Sequence, residues 1–549
     1  MAGIFLPFFS NAQQVDVGKI GAVGKNKPVA LSGGLSAGSV IYGGTPQSGR
    51  QDWTYYLNGS LNVNVYGHIN IPISVNLTNL GADISYPSLP NRLSLHPTYK
   101  WMTAHIGDVS MTFSPYTLNG HQFTGGGVEL TPGKLKISAM AGRLMRKIAY
   151  SLEDPSTIPN YQRLGYGFKA EYETDKYSVG VIWFEGSDKK DESQRLVNDN
   201  LGIQPMQNTA VSLTTKFSMV KNMSFIAEYA ISFLNHNLYA SGSDSKNTYH
   251  ALNARINYQF LKNTIGVGYE RIDPDYKTLG AYYFNNDYEN ITLNYSRPFL
   301  KGDKANIALS FGVQQDDLNH QKEESTERYV ASASLNYAPS EKIQTSFNYS
   351  TFQSYRNLKS QFDYINETSP YENLDTLNYS QLSQNLDASV IYNFKKTEKQ
   401  NQRLNLNVSY QESADRQGDI STPGNVSRFA NSALGYSIAF IPQAVSLTSS
   451  FNLSYAYAGM IESYTYGPML GITANLLKKT LTTGFSTSYN VNVCDGITQA
   501  KVLNLRTNAG YRIKRKHSLR LDFVWQNKEV VARRRTNVTT TTASYSYSF

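Results

Sequence analysis

Apolar and polar residues exchange places at nearly every step along much of this chain. In the segment 401–410, Leu404, Leu406, Val408 and Tyr410 alternate with Arg403, Asn405, Asn407 and Ser409. Further on, Leu503, Leu505, Ala509, Tyr511 and Ile513 alternate with Asn504, Arg506, Asn508 and Arg512. Leu519, Leu521, Phe523 and Trp525 then stand against Arg520, Asp522 and Gln526. Early in the chain Trp53, Tyr55, Leu57, Leu61, Val63 and Val65 share one parity, and Ile69, Ile71, Ile73, Val75 and Leu77 follow on a return strand. Counting back by twos from Phe549 gives Tyr547, Tyr545 and Ala543, with Ser548, Ser546 and Ser544 between them. Successive side chains of a strand point to opposite faces, so this period puts an apolar face and a polar face on each segment. A helix would need apolar repeats at three and four, and these segments lack them.

The breaks in the pattern are of two kinds. Tight clusters rich in Gly, Pro, Asn, Asp and Lys occur from Tyr66-Gly67-His68 and Thr131-Pro132-Gly133-Lys134 to Leu477-Lys478-Lys479 and Arg512 to His517. Such residues build tight turns. Longer polar connections alternate with them, at 188–200, 235–246, 273–286, 314–327, 356–377 and 412–425. The turns and a first and last strand (Pro28–Tyr42 and Thr536–Phe549) predict about 24 antiparallel strands, in a range of about 22–26, an even number with both termini on one side. The fold class expected is all-β: a single large antiparallel transmembrane β-barrel, apolar toward lipid and polar toward a watery lumen, with short periplasmic turns and long extracellular loops. One stretch resists the scheme. Residues 80–122 are too long for an ordinary loop and too apolar to be idle, and they read as either a further hairpin or a segment folded inward as a constriction or plug.

Composition narrows the picture. The 549 residues carry 40% hydrophobic residues at a mean hydropathy of −0.41, and no run of eighteen apolar residues occurs, so helical membrane spans are not expected. Tyr (40) and Phe (24) are too abundant for a disordered chain, and they suit aromatic girdles at two interfaces. No composition shift or charge block divides the chain, so residues 28–549 read as one unit. The net charge of +9 is carried in good part by predicted turns, such as Lys395-Lys396 and Arg512 to Lys516. This is a pattern for solubility and anionic headgroups, and no nucleic-acid partner is expected. Cys494 is the single cysteine, which excludes an intramolecular disulfide framework. Residues 1–12 read as an export signal: Ile4 to Phe9 is apolar, and Ser10 and Ala12 fit the small residues before a cleavage site. No Lys or Arg precedes the apolar stretch and it is short, so the signal reads as truncated at its start. Residues 13–27 would then be a periplasmic N-terminal segment.

With the terminal Phe549, its alternating aromatics, the short-turn and long-loop asymmetry and the export signal before Gln13-Gln14, the chain resembles the outer-membrane β-barrel proteins of Gram-negative bacteria, porin-like in character. The Asn- and Tyr-rich texture and the Asn11-Ala12-Gln13 junction resemble Bacteroidota members. The resemblance implies an integral outer-membrane location, contact with outer-membrane lipid and lipopolysaccharide, and transport. It also leaves room for a scaffold or secretion component that holds lipoprotein or secretion partners. A narrower similarity runs through Ile106-Gly107-Asp108, Phe113, Gly120 and Gly125-Gly126-Gly127 to a segment of fimbrial ushers. The chain departs from ushers in lacking an immunoglobulin-like plug pattern, periplasmic end domains and a cysteine pair.

A barrel of this size encloses a lumen too wide for its own side chains to fill. Register places Lys169, Lys216, Arg255, Arg403, Arg506, Arg512 and Arg520, with Glu171, Glu228, Asp387 and Asp522, on the inward face as pore-lining candidates. Such side chains tune ion and solute preference, or simply pair with one another. Trp101, His105, Asp108, Phe113 and Tyr116 are the candidates for a constriction or plug. Catalytic signals are poor. The eight histidines are scattered without an HExxH or Cys/His cluster, and His105 and Asp108 would point to opposite faces of a strand. Gly125-Gly126-Gly127 lacks the Lys of a phosphate loop and reads as a close backbone approach or bulge. No enzyme activity, metal or cofactor is expected. The leading expectation is a channel for small polar solutes.

Overall fold

The computed structural model describes residues 28–549 apart from 46–51, 80–91, 151–158, 194, 219, 241–244, 283, 301, 303, 321–326, 352–353, 358–378, 383, 418–419, 459–460, 515 and 531–534. Residues 1–27, with the expected signal and N-terminal segment, lie outside the described residues. Antiparallel strands follow one another around one large sheet, each paired with its neighbours in sequence, except that Ser354–Asn357 and Tyr379–Leu382 pair only with each other and Ile343–Ser350 pairs directly with Gln384–Lys396. The sheet closes because the first strand, Val29–Gly44, pairs with the last, Thr536–Ser548, from Gly34 opposite Ser548 to Gly44 opposite Val538. Closure satisfies the backbone groups that an open edge would leave unpaired. Arg92–Leu95 and Thr98–Tyr99 occupy one line of the sheet, interrupted at His96-Pro97, and the wall then has 26 strands.

The count exceeds about 24 because residues 92–112 supply a further hairpin. Its turn, at Lys100-Trp101, places Lys100 at φ 51°. Pro97 offers no amide to the ladder, which is why this strand breaks there and why its pattern is hard to read. Met102–Thr112 and Asn119–Leu130 are likewise ladder partners in the wall. The connection read at 412–425 is also wall: strands run over Gln400–Gln417 and Ile420–Phe440, paired almost to their ends. Most of the connection read at 356–377 lies outside the described residues.

The faces separate as the period-two pattern requires. Leu404, Leu406, Leu519, Leu521 and Phe523 are exposed on the outside, between 38% and 51%. Outside, too, lie Tyr166, Phe168, Val179, Val181 and Trp183. Their sequence neighbours face inward and are small or polar: Gly165, Gly167, Ser178 and Gly180. Gly125 shows why glycine sits in the wall here. A Cβ on it would lie 2.2 Å from the Ala141 carbonyl oxygen, so the neighbouring strand approaches too closely for any side chain. Among the described residues, Arg195–Asn200 is the sole α-helix.

Candidate functional site

Two connections on the long-loop side turn into the barrel. One is the turn 113–118 between Met102–Thr112 and Asn119–Leu130; the other is the connection 273–287, between Asn263–Ile272 and Tyr288–Phe299. They meet as a short parallel bridge, Leu118 opposite Gly280, with the Asn119 amide donating to the Gly280 carbonyl at 2.8 Å. The Tyr276 hydroxyl donates to the Tyr116 carbonyl (2.8 Å) and Thr278 Oγ1 to the Thr117 carbonyl (2.5 Å). All four side chains are buried. Burial, with the Glu228 charge nearby, drives the Tyr276 phenol above its ordinary pKa, so its proton stays in place as the donor.

The wall beneath is shaped to receive these segments. The Leu279 amide donates to Asn208 Oδ1, Asn208 Nδ2 donates to Ser232 Oγ (2.7 Å), and Ser232 Oγ donates to the Lys277 carbonyl (2.7 Å). Asn208 and Ser232 are fully buried, so this chain satisfies loop carbonyls and amides that water no longer reaches. Around it lie two apolar clusters. Phe113 and Leu118 pack with Val109, Met111, Phe123, Met140, Leu144, Ile182 and Phe184. Tyr116 and Tyr276 pack with Ala230, Ala251 and Ile272, against Phe284 and Tyr288. The Tyr116–Phe284 and Tyr276–Phe284 ring centroids are 6.2 and 5.0 Å apart. The inner wall here is therefore a core and not a wetted surface.

Charged side chains fasten the same corner. Lys169 Nζ donates to the Phe113 carbonyl at 3.2 Å and lies 3.5 Å from Glu171, which accepts from Ser178. The Tyr116 hydroxyl donates to Glu270 at 2.6 Å, and Glu228 accepts from Ser212. Arg163 grips Asp188 with two bonds of 2.7 and 2.9 Å. Sequence reasoning named Phe113, Tyr116, Lys169, Glu171 and Glu228, but not Glu270, Arg163 or Asp188. Tyr276 and Thr278 carry no local signal, because their partners lie about 160 positions away.

The eleven charged candidates all fall on the face whose neighbours are small or polar. Lys169, Glu171 and Glu228 come together near the inward turn. Arg255 stands opposite Gly268, and Asp387 opposite Asn348 and Ser409. Lys216, Arg403 and Arg512 lie close to tight turns, at that rim. Arg520 pairs with Asp522 at 2.7 Å, while Arg506 stands opposite Ser486 and Val524. The five constriction candidates divide. Phe113 and Tyr116 belong to the inward turn. Trp101 is half exposed at a tight turn, and His105 and Asp108 sit in a wall strand. His105 Nδ1 lies 2.8 Å from His96 Nδ1, and its Nε2 lies 3.4 Å from Glu129. Asp108 instead accepts from Thr124 Oγ1 and the Leu93 amide. Among the described residues no cluster of His, Cys, Asp and Glu has the arrangement of a metal site.

No protein-family model matches the chain, and no curated protein matches it. Among solved structures it is similar to the translocation pore of the P pilus usher PapC, at 10% identity over 94% of this chain and 99% of that one, with a TM-score of 0.37. It is also similar to the FrpB iron transporter from Neisseria meningitidis (9% identity, 94% and 82% covered, TM-score 0.39). The siderophore receptor PirA from Pseudomonas aeruginosa is similar to the same degree (11% identity, 94% and 80% covered, TM-score 0.39). At these identities and TM-scores nothing about location, ligand or partner transfers.

Proposed function

We propose that the protein is an outer-membrane channel for small polar solutes, narrowed on one side by the segments 113–118 and 273–287. The observation that carries this reading is the separation of faces around a closed wall. Aliphatic and aromatic side chains crowd the outside, while Asn, Ser, Thr and paired charges line most of the inside. A chain in water gains nothing by exposing so many large apolar side chains, whereas lipid makes their exposure favourable. A wall of 26 strands has a bore wider than its own inward side chains can close, which leaves an aqueous path beside the inward segments. Lys169, Lys216, Arg255, Arg403, Arg506, Arg512 and Arg520, with Glu171, Glu228, Asp387 and Asp522, then line that path. Seven cations stand against four anions, which favours polar solutes with a mild bias toward anions.

Conductance across a planar bilayer tests the reading. Purified protein should give discrete steps, and replacing 274–286 with a short Gly-Ser linker should enlarge them. Protein that inserts folded yet gives no steps, with or without that segment, contradicts it.

A further inference from the structure

Beside the inward segment 273–287 the inner wall carries a recess of about 380 Å³, within the range of small-molecule sites. Two side chains of opposite charge line it, Arg255 and Glu270. Elsewhere on the wall such charges pair, as Arg163 does with Asp188, Lys169 with Glu171 and Arg520 with Asp522. Among the described residues neither Arg255 nor Glu270 is ion-paired. Arg255 stands opposite Gly268, and Glu270 is two residues on from Gly268 in the strand Asn263–Ile272. Gly268 leaves the floor of the recess open. A Cβ there would lie 2.7 Å from Thr292 Oγ1, 3.8 Å from Arg255 Nε and 3.9 Å from Asn294 Nδ2. Three donors therefore converge on one small space. Asn294 Nδ2 donates to Thr292 Oγ1 at 3.4 Å, which leaves the Thr292 hydroxyl proton and the second Asn294 amide proton for that space. Arg255 is exposed, and Asn294 and Glu270 are half-buried, so a solute in the lumen reaches them.

Guanidinium, amide and hydroxyl donors around one point suit an oxyanion, and charge-assisted bonds from Arg to a carboxylate are among the strong ones. Glu270 calls for the opposite charge. The Tyr116 hydroxyl donates to it at 2.6 Å, which steadies the carboxylate without neutralising it. A simple anion would satisfy Arg255 but set like charge beside Glu270. An amine would do the converse. A neutral solute would leave both charges without a counter-charge. A molecule carrying both charges answers both, and the spacing selects its length. Residues two apart on a strand share a face and lie about 7 Å apart. A bond from an ammonium to Glu270 takes up roughly 3 Å of that span. The remainder is close to the separation of an ammonium and a carboxylate attached to the same carbon. The Tyr288 ring borders the recess and offers a side chain an apolar surface.

We propose that this recess binds the zwitterion of a free α-amino acid, its carboxylate over Gly268 against Arg255, Asn294 and Thr292 and its ammonium on Glu270. The proposal rests on the channel reading only for how the solute arrives, so binding is measured apart from conduction. Detergent-solubilised full-length protein is titrated calorimetrically with L-alanine and L-phenylalanine. Each is compared with the analogue lacking its ammonium (propionate, 3-phenylpropionate) and the analogue lacking its carboxylate (ethylamine, 2-phenylethylamine). At least one amino acid should bind, tenfold or more tightly than both of its analogues. Arg255→Gln, Glu270→Gln and Gly268→Ala should each weaken that binding tenfold or more. The last fills the space over the floor with a methyl group and leaves both charges in place. Gln at position 270 can still accept from Tyr116, so the inward turn keeps that bond. Heat-modifiable mobility on gels confirms folding of each variant. Should the Gly268 variant fold poorly, Arg255→Gln changes an exposed side chain and keeps the test open. Binding by a protein that does not conduct would support the amino-acid site while refuting the channel. Conduction without binding of either amino acid, an analogue that binds as tightly as its amino acid, or binding unchanged in the folded variants would overturn the site.

Discussion

The wall from Val109 to Asn290 and the wall from Gln384 to Ser548 use the same antiparallel ladder but present different interiors. In the first, Ile182, Phe184 and Leu234 are buried on the inner face, under segments that fold in from the loops. In the second, the buried inner positions include Asn452, Asn490, Asn504 and Thr540. Strand length follows the same division: Gln207–Phe217 and Asn263–Ile272 have 11 and 10 residues, Gln400–Gln417 and Ile420–Phe440 have 18 and 21. The difference teaches that an inner face takes its polarity from what covers it. Where chain covers it, it is a packed core with few polar groups; elsewhere amides and hydroxyls of neighbouring strands bond one another.

Substitutions that treat the two regions alike should separate them. Phe184→Ala removes a fully buried ring from under Leu118 and should cost about 3–5 kcal/mol in urea unfolding of the refolded barrel. Val524→Ala, on the polar side, should cost only about 1.5 kcal/mol, from roughly 0.8 for each methyl-sized group lost. Equal losses would erase the contrast. On the outer face, Leu521→Arg should cost about 2–4 kcal/mol at mid-bilayer depth, whereas Asn508→Arg on the neighbouring strand's inner face should be tolerated. Reversed costs would turn the wall inside out. Tyr276→Phe leaves the Tyr116 carbonyl unpaired in a dry site and should cost about 1–3 kcal/mol, accompanied by faster proteolysis of 273–287. Asn504→Ala breaks bonds of 3.0 Å to Ser488 and to Gln526 within the amide-lined wall, so about 0.5–1.5 kcal/mol is expected. A loss larger than that of Tyr276→Phe would mean the amide wall is itself a dry core.

The same division sets how far the sequence could be read. On the polar side the two-residue alternation was crisp, and Leu519 to Trp525 or Leu503 to Tyr511 lie in strands as the pattern implied. The tight turns, from Tyr66 to the cluster at Arg512, also carried their own Gly, Pro and Lys signatures. Along Ile182 and Phe184 the pattern blurs, because both faces are apolar for different reasons, one toward the outside and one toward the loop core. The hairpin at residues 92–112 was hidden by the His96-Pro97 break. At 412–425 the polar residues suggested a loop, yet the ladder continues there. The inward course of 273–287 could not be read at all, since its hydrogen bonds reach across the barrel to residues 113–118.

Alternation across one strand tests the central claim most directly. With Cys494→Ser as the background, single cysteines are introduced at successive positions from Leu519 to Val524, labelled with a fluorophore and reconstituted into bilayers. Lipids with brominated tails should quench the label at Leu519, Leu521 and Phe523, while a membrane-impermeant aqueous quencher should reach Arg520 and Asp522. Quenching by lipid at every position, at none, or at the second set would contradict a wall with a lipid-facing exterior and a wet interior.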